Sequence, residues 1–193
     1  MSFDPAAFRH QVKGILDDHA GAFGVPADRH TILRRQIESG DDIHSRRTFP
    51  GHVTTSAFIL DRAGRRILLI HHRSLGRWLQ PGGHYEPPDD LAGSALREAM
   101  EETGLHGLVL DPWHEASLVP IDIDSHRIPA RPERDDPEHW HHDMRYVVRA
   151  LESEVMRPDL REVHGAEWRN LRDLESIAPQ GLRNMRKLGL VRL

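Results

Sequence analysis

Three glutamates are spaced so that they could bind one metal ion together. Glu98, Glu101 and Glu102 occupy positions i, i+3 and i+4 of a segment with a helical pattern. At 3.6 residues per turn, these positions fall within about 100° of arc on one face of the helix. Carboxylates held so close repel one another unless a cation lies among them, and their oxygen atoms suit Mg²⁺ or Mn²⁺. The alternative interpretation is a solvated acidic face.

The segment around these glutamates has further regular spacings. Gly83 is followed by five residues and Asp89, and seven residues later begins the run Arg97–Leu105, REAMEETGL. Residues 83–105 resemble the box of the Nudix hydrolases, G-x5-E-x7-R-E-U-x-E-E-x-G-U, in which U is an aliphatic residue. The Pro81-Gly82-Gly83 sequence and Glu86 also look like the segment that leads into this box. Asp89 is a departure, because the family has glutamate there and the carboxylate is one methylene shorter here.

This resemblance implies an activity and a role for the matching residues. The chain would be a metal-dependent pyrophosphohydrolase that cleaves a nucleoside diphosphate linked to another group. Glu98, Glu101 and Glu102 would bind Mg²⁺ or Mn²⁺ and carry out catalysis, together with Arg97 as the orienting residue and the Gly83 carbonyl as a further metal ligand. The metal would neutralise charge on the pyrophosphate oxygens.

The remaining candidates lie near the box or in a later loop. Arg73, Arg77 and Glu86 could bind the substrate. Glu133 or Glu138 could supply the base that activates the attacking water, if none of the box glutamates does so.

Local sequence rules predict how the box folds. Pro87 and Pro88 exclude a helix interior, so Asp89 or Asp90 should cap the helix that follows. Arg97 is four residues before Glu101 and can hold that carboxylate. Gly104 is placed to end the helix in a left-handed conformation. The side chains expected to point away from the glutamates and pack on a sheet are Leu96, Ala99, Met100 and Thr103.

Histidine is unusually frequent, with 15 copies in 193 residues. Four residues, His52, His84, His141 and Asp143, are placed similarly to the metal-binding residues of the Nudix-fold isopentenyl diphosphate isomerases. On a strand, His141 and Asp143 share a face. Imidazole and carboxylate ligands suit Mn²⁺, Fe²⁺, Zn²⁺ or Ni²⁺, which predicts a second metal site. The alternative is a set of surface or phosphate-contacting histidines.

Two other functions can be weighed against hydrolysis. An isomerase of that kind needs a cysteine near the box, and the chain has none. A non-catalytic domain that senses a nucleotide or sugar is the other alternative, but such domains usually lose carboxylates of the box. Because Glu98, Glu101 and Glu102 are all present, the sequence favours catalysis.

Composition limits the classes of protein to consider. A net charge of −4 argues against a general nucleic-acid-binding surface. The chain has no run of 18 apolar residues, no secretory signal pattern and no cysteine, so we expect a cytoplasmic protein without a membrane span. A small-molecule nucleotide or pyrophosphate is the expected partner.

Apolar periodicity predicts the elements that position these residues. Two amphipathic helices at residues 5–20 and 28–39 form an extension over residues 1–45, which could cap the fold or contribute to a homodimer. Residues 46–193 would form the Nudix domain. Its predicted strands are Val53–Leu60, Arg66–His71, Trp78–Gln80, Ala116–Val119, Asp143–Leu151 and Val163–Arg169, with a loop from Ile123 to His139 and helices at Leu171–Ile177 and Leu182–Leu188. This order predicts an α/β fold in which helices enclose a mixed sheet, an α/β/α sandwich.

Overall fold

An eight-stranded mixed sheet with helices against both faces organises the chain, which confirms the predicted α/β/α sandwich. The computed structural model describes residues 3–115, 117–132, 135–152, 155–161 and 163–192. Within that part of the chain, none of the helices combines the length and the apolar character needed to cross a bilayer.

The elements follow one another in a regular order along the chain. The helices are α1 (Pro5–Phe23), α2 (Thr31–Ser39), α3 (Leu91–Thr103), α4 (Pro112–Glu115), α5 (Leu174–Ile177) and α6 (Pro179–Lys187). Short 3₁₀ helices span Ala27–His30 and Leu171–Asp173. The strands are β1 (Gly51–Leu60), β2 (Arg66–His72), β3 (Arg77–Leu79), β4 (Gly82–His84), β5 (Leu108–Leu110), β6 (Asp122–Ile128), β7 (His139–Ala150) and β8 (Val163–Asn170).

The centre of the sheet is the parallel pair of β1 and β7, in which His52 lies opposite His141. The other pairings are antiparallel. Strand β4 adds to β1 so that His84 lies opposite Thr54, and β6 adds to β7 so that His126 lies opposite His141. These pairings bring the histidines of four separate segments to one end of the sheet.

The two faces of the sheet are covered by different helices. Ala57 and Ile59 of β1 pack with Ala99 of α3, whereas Phe58 and Leu60 pack with residues of α5 and α6. Consecutive residues of a strand point to opposite faces, which explains this division. It also separates the side chains of β1 that face α3 from those, such as His52, that face away from it.

The N-terminal helices lie at the predicted positions and contribute to the core. Phe8, Leu16 and Leu33 are buried in one cluster with Val53 of β1 and Leu91 of α3. These helices therefore pack on the α3 side of the sheet. A division into an extension and a Nudix domain near residue 45 stays a prediction.

Two predictions around residues 116–139 were wrong. No strand forms over residues 117–119, where Leu118 has a positive φ of 50°, and Ala116 lies outside the described residues. The expected loop from Ile123 instead contains β6, which pairs along β7. The sequence did not predict β6 because the strand contains polar residues such as Ser125 and His126. These residues contact polar side chains of β7 rather than an apolar core.

Candidate active site

Helix α3 begins and ends where the sequence predicts. Asp90, one of the two predicted caps, accepts a hydrogen bond at Oδ1 from the Gly93 amide over 2.6 Å. Gly104 ends the helix with a φ of 65°, which confirms the left-handed cap. Ala99 and Thr103 are buried against the sheet as expected, but Met100 is 37% exposed and does not pack there. Signals within the segment itself therefore determine where the helix that carries the three glutamates begins and ends.

The three glutamates have different surroundings. Glu102 is 4% exposed, and its Oε2 accepts a hydrogen bond from the Gly82 amide over 2.8 Å. Glu98 lies directly against Gly83, where an added Cβ would be 2.5 Å from the glutamate Oε2. The Glu101 side chain is 58% exposed. Two carboxylates therefore converge on the backbone of β4, and the third points outward from the same helix face.

Arg97 donates hydrogen bonds to two of these glutamates and to Asp89. Its Nη1 donates to Glu98 Oε1 over 3.0 Å and to Glu101 Oε2 over 3.1 Å, as the spacing of Arg97 and Glu101 predicts. Its Nε donates to Asp89 Oδ2 over 3.1 Å. Asp89 therefore acts on the glutamates through the arginine, and its shorter side chain still reaches that partner.

Burial determines the proton affinity of Glu98. It raises the pKa of this carboxyl above its usual value, against an opposing effect of the neighbouring Arg97 charge. Negative charge on Glu101 and Glu86 adds to the increase. A carboxylate in this environment gains from a bound cation, because the cation supplies the compensation that solvent cannot.

The donor set fits a hard divalent cation. The glutamate oxygens are the ligand type that Mg²⁺ and Mn²⁺ prefer, and the missing Cβ of Gly83 leaves the space that the Glu98 carboxylate fills. The structure thus brings Gly83, Glu98 and Glu102 together, with Glu101 close by through Arg97.

The predicted substrate-binding residues are less closely gathered. Glu86 is exposed and near enough to Glu98 to raise its pKa. Arg77 is exposed at the start of β3, and Arg73 donates to the Leu160 carbonyl over 3.2 Å. Glu138 pairs with Arg127 over 3.2 Å, and the other loop candidate, Glu133, lies outside the described residues, as does the neighbouring Arg134. Their roles stay predictions.

A network around a buried arginine lies on the face of the sheet that points away from α3, and it was not predicted from the sequence. Arg145 is buried and bonds the carboxylates of Asp122, Asp124 and Asp143 over 2.9 to 3.0 Å. Asp143 also accepts a hydrogen bond from the Ser56 hydroxyl over 2.7 Å. The signal was present as alternation along β7, where histidine, histidine, aspartate and arginine stand at positions 139, 141, 143 and 145.

Three of the four residues of the predicted second metal site come together. One ring nitrogen each of His52, His84 and His141 lies within 4.8 Å of the others. Asp143 shares their face of the sheet, as predicted, but its carboxylate bonds Arg145 and Ser56 and is not part of this group. Burial lowers the pKa of His52 to about 4 and that of His141 to about 2, so both rings are neutral at pH 7.

Comparison with known proteins places this geometry in a family. A model of the NUDIX domain matches residues 50–188, which include the whole box and every strand of the sheet. The chain belongs to the Nudix family. Helix α3 is therefore the helix of the Nudix box, and β4 before it carries the glycines that lead into the box.

Curated relatives resemble parts of this Nudix chain. The human m7GpppN-mRNA hydrolase NUDT17 is 30% identical over 122 residues, which cover 58% of this chain and 36% of the relative. The mouse nucleoside diphosphate-linked moiety X motif 6 is 36% identical over 62 residues, or 29% of this chain and 20% of the relative. The chain thus spans little more than a third of the length of the first relative and a fifth of the length of the second.

Solved structures support the fold. The Ap4A hydrolase of C. elegans, in a binary complex, has a TM-score of 0.52 at 19% identity, covering 70% of this chain and 96% of that one. A NUDIX family hydrolase from Clostridium perfringens has a TM-score of 0.51 at 23% identity, covering 71% and 97%.

Proposed function

We propose that this Nudix protein is a Mg²⁺- or Mn²⁺-dependent pyrophosphohydrolase. The observation that carries the proposal is the convergence of Glu98 and Glu102 on the backbone of Gly82 and Gly83, with Arg97 bridging Glu98 and Glu101. Arg97 and the three glutamates of the family's box are all present, which a domain that only senses its ligand would not need. When bound, the metal would neutralise charge on the pyrophosphate oxygens and activate water.

Each residue has a distinct task in this proposal. Glu102 is held by the Gly82 amide, and its carboxylate would be one of the metal ligands. Glu98, whose pKa is raised by burial, is the candidate to accept a proton from the attacking water. Glu101 is the exposed carboxylate of the set and completes the charge facing the substrate. Arg97 keeps Glu98 and Glu101 in place between catalytic cycles.

The substrate class follows from the names of the relatives. A relative acting on m7GpppN-mRNA and another named for a nucleoside diphosphate-linked moiety both point to a phosphate chain attached to a nucleoside. We therefore propose a nucleoside diphosphate linked to a second group. Arg73, Arg77 and Glu86 are the proposed substrate contacts, and a cytoplasmic location and a homodimer stay predictions.

A cleavage panel tests this function. The purified chain would be incubated with ADP-ribose, dinucleoside polyphosphates, a cap analogue, nucleoside triphosphates, nucleotide sugars and coenzyme A, each with Mg²⁺ and with Mn²⁺. Glu98→Gln and Glu102→Gln should lose at least about 100-fold in kcat, because each removes a metal-binding charge from a preorganised site. Glu38→Gln is the matched control, since Glu38 is an exposed helical glutamate of α2.

The outcomes separate the two classes of function. Cleavage of one substrate class by the wild type and by Glu38→Gln, but not by the site variants, would support hydrolysis. If no substrate is cleaved but a nucleotide binds with the same affinity to wild type and Glu102→Gln, the protein is a sensing domain and the proposal fails.

A further inference from the structure

Five histidines gather on the face of the sheet that points away from α3. The ring centroids of His52 and His84 are 5.1 Å apart, those of His52 and His141 4.8 Å, and those of His84 and His141 5.3 Å. His139 and His126 flank His141 at 5.1 and 5.8 Å. Strand pairing creates this cluster from β1, β4, β6 and β7, so it is built by the fold rather than by one flexible loop.

Hydrogen bonding distinguishes this cluster from ordinary buried histidines. His114 is fully satisfied, because the Val147 amide donates to Nε2 over 2.8 Å and Nδ1 donates to the Val119 carbonyl over 3.0 Å. His52 is only 1% exposed, and neither of its ring nitrogens makes a hydrogen bond of normal geometry in the described structure, although the Thr48 backbone lies close enough to act on the ring. Buried polar groups are normally paired, so the His52 ring has bonding capacity left for a ligand, provided that other donors lie beside it.

Other buried histidines do not share this arrangement. His19 and His30 also lack hydrogen-bond partners at their ring nitrogens, with centroids 6.3 Å apart. Among the described residues, only His52, His84 and His141 form a group of three potential ligands whose donor atoms lie within 4.8 Å of one another. Three donors at this separation can converge on one ion after small side-chain rotations, whereas a pair cannot enclose it.

We propose that His52, His84 and His141 bind a divalent transition-metal ion at a site separate from the carboxylates of α3. Neutral imidazoles suit Zn²⁺, Ni²⁺, Co²⁺ or Fe²⁺ and bind Mg²⁺ poorly. The Nε2 atom of His139 lies 3.2 Å from that of His141 and is the nearest candidate for a fourth ligand. The Asp143 carboxylate is not included among the proposed ligands, because it already pairs with Arg145.

A cavity connects this site to solvent. It has a volume of about 600 Å³, and His52, His84 and His139 lie in its wall together with Arg46 and Arg131. A metal ion can therefore enter without unfolding of the sheet. A metal held by the three histidines alone would keep one exchangeable position facing the cavity, which His139 would fill if it also coordinates.

Direct metal binding tests the site without any assay of turnover. The purified chain would be stripped with a chelator and titrated with Zn²⁺ against a chromophoric competitor, and with Co²⁺ while its visible spectrum is recorded. We expect one Zn²⁺ per chain and intense Co²⁺ absorption in the wild type. His84→Ala and His141→Ala should each weaken Zn²⁺ binding by about 100-fold or more, since even changes beyond the direct ligands cost about 10–100-fold.

Matched variants make the result decisive. His106→Ala removes an exposed histidine and should leave Zn²⁺ affinity unchanged. The double variant Glu98→Gln with Glu102→Gln disables the carboxylate site and should also leave Zn²⁺ affinity unchanged. Its result therefore distinguishes failure of the histidine site from failure of the proposed hydrolase function. If His84→Ala or His141→Ala fails to fold, the Co²⁺ spectrum of the variant carrying Glu98→Gln and Glu102→Gln decides. Intense absorption must persist in it, because four-coordinate Co²⁺ at the histidines absorbs strongly whereas six-coordinate Co²⁺ at carboxylates absorbs weakly; loss of that absorption overturns the proposal. Zn²⁺ affinity that survives both histidine substitutions, or disappears with the glutamates, overturns the proposal.

Discussion

Gly83→Ala should disable the carboxylate site while the fold stays intact. A Cβ at this position would lie 2.5 Å from Glu98 Oε2 and 2.6 Å from its Cδ, whereas ordinary van der Waals contact begins at 3.4 Å. The Glu98 carboxylate must therefore move by about 0.9 Å. Because the atoms in the way are the far end of a flexible side chain, the clash is relieved by displacing Glu98 rather than by unfolding.

The size of the effect follows from that displacement. A misplacement of about 1 Å in a catalytic group can cost roughly 100-fold in rate, which corresponds to about 2.7 kcal/mol in the activation free energy. We therefore expect kcat to fall by about 100-fold, with a parallel loss of Mn²⁺ affinity. The loss of affinity is measurable by electron paramagnetic resonance of free Mn²⁺ and does not depend on knowing the substrate.

Gly165→Ala is the control for this experiment. Gly165 is also a strand glycine, and a Cβ there would meet no heavy atom within 4 Å. It should behave as the wild type in both assays. Gly83→Ala with kcat and Mn²⁺ affinity within twofold of the control would refute the reasoning, because Glu98 would then not need the space that glycine leaves.

Two further predictions concern stability. Burial lowers the pKa of His114 to about 4 from 6.5, so its contribution to stability is complete above pH 6.5 and is lost as the pH falls toward 4. When the pH is lowered from 6.5 to 4, the free energy of unfolding measured in urea should fall by about 3 kcal/mol more for the wild type than for His114→Gln. Equal decreases in the two proteins would contradict this. Gly104→Ala should destabilise by about 1 kcal/mol more than Gly24→Ala. Both glycines have left-handed φ values, but only at Gly104 would the Cβ strike a backbone atom, the Arg157 carbonyl. Equal losses in denaturant titrations would exclude this clash.

Features encoded by adjacent residues could be predicted from the sequence. Asp90 and Gly104 bound α3 because a side-chain cap and a left-handed glycine act within one helical turn. The contact between Arg97 and Glu101 follows from helical spacing alone. For the same reason, the positions of the three box glutamates in the chain were sufficient to assign them to one helix.

Features that depend on partners distant in the chain could not be predicted in this way. The spacing of α3 suggested a buried Met100, but this residue is 37% exposed. The strand β6 was missed because its polar residues are stabilised by β7 rather than by an apolar core. Asp143 was expected to be a metal ligand because it shares a face with His141. The sequence did not reveal that Arg145, two residues further on, would take its carboxylate.

The alternation of strand β4 places one short segment beside both of the proposed metal sites. Gly83 lies opposite Thr55, whose hydroxyl donates to Ser94 of α3, so this position faces the carboxylate helix. His84 lies opposite Thr54 and points to the other face, where His52 and His141 are. Because successive strand residues face opposite sides, glutamate and histidine donors cannot mix around a single ion. If both proposed sites bind metal, hard and softer cations would be selected independently by neighbouring residues, and loss of either ion should leave the donor set of the other in place.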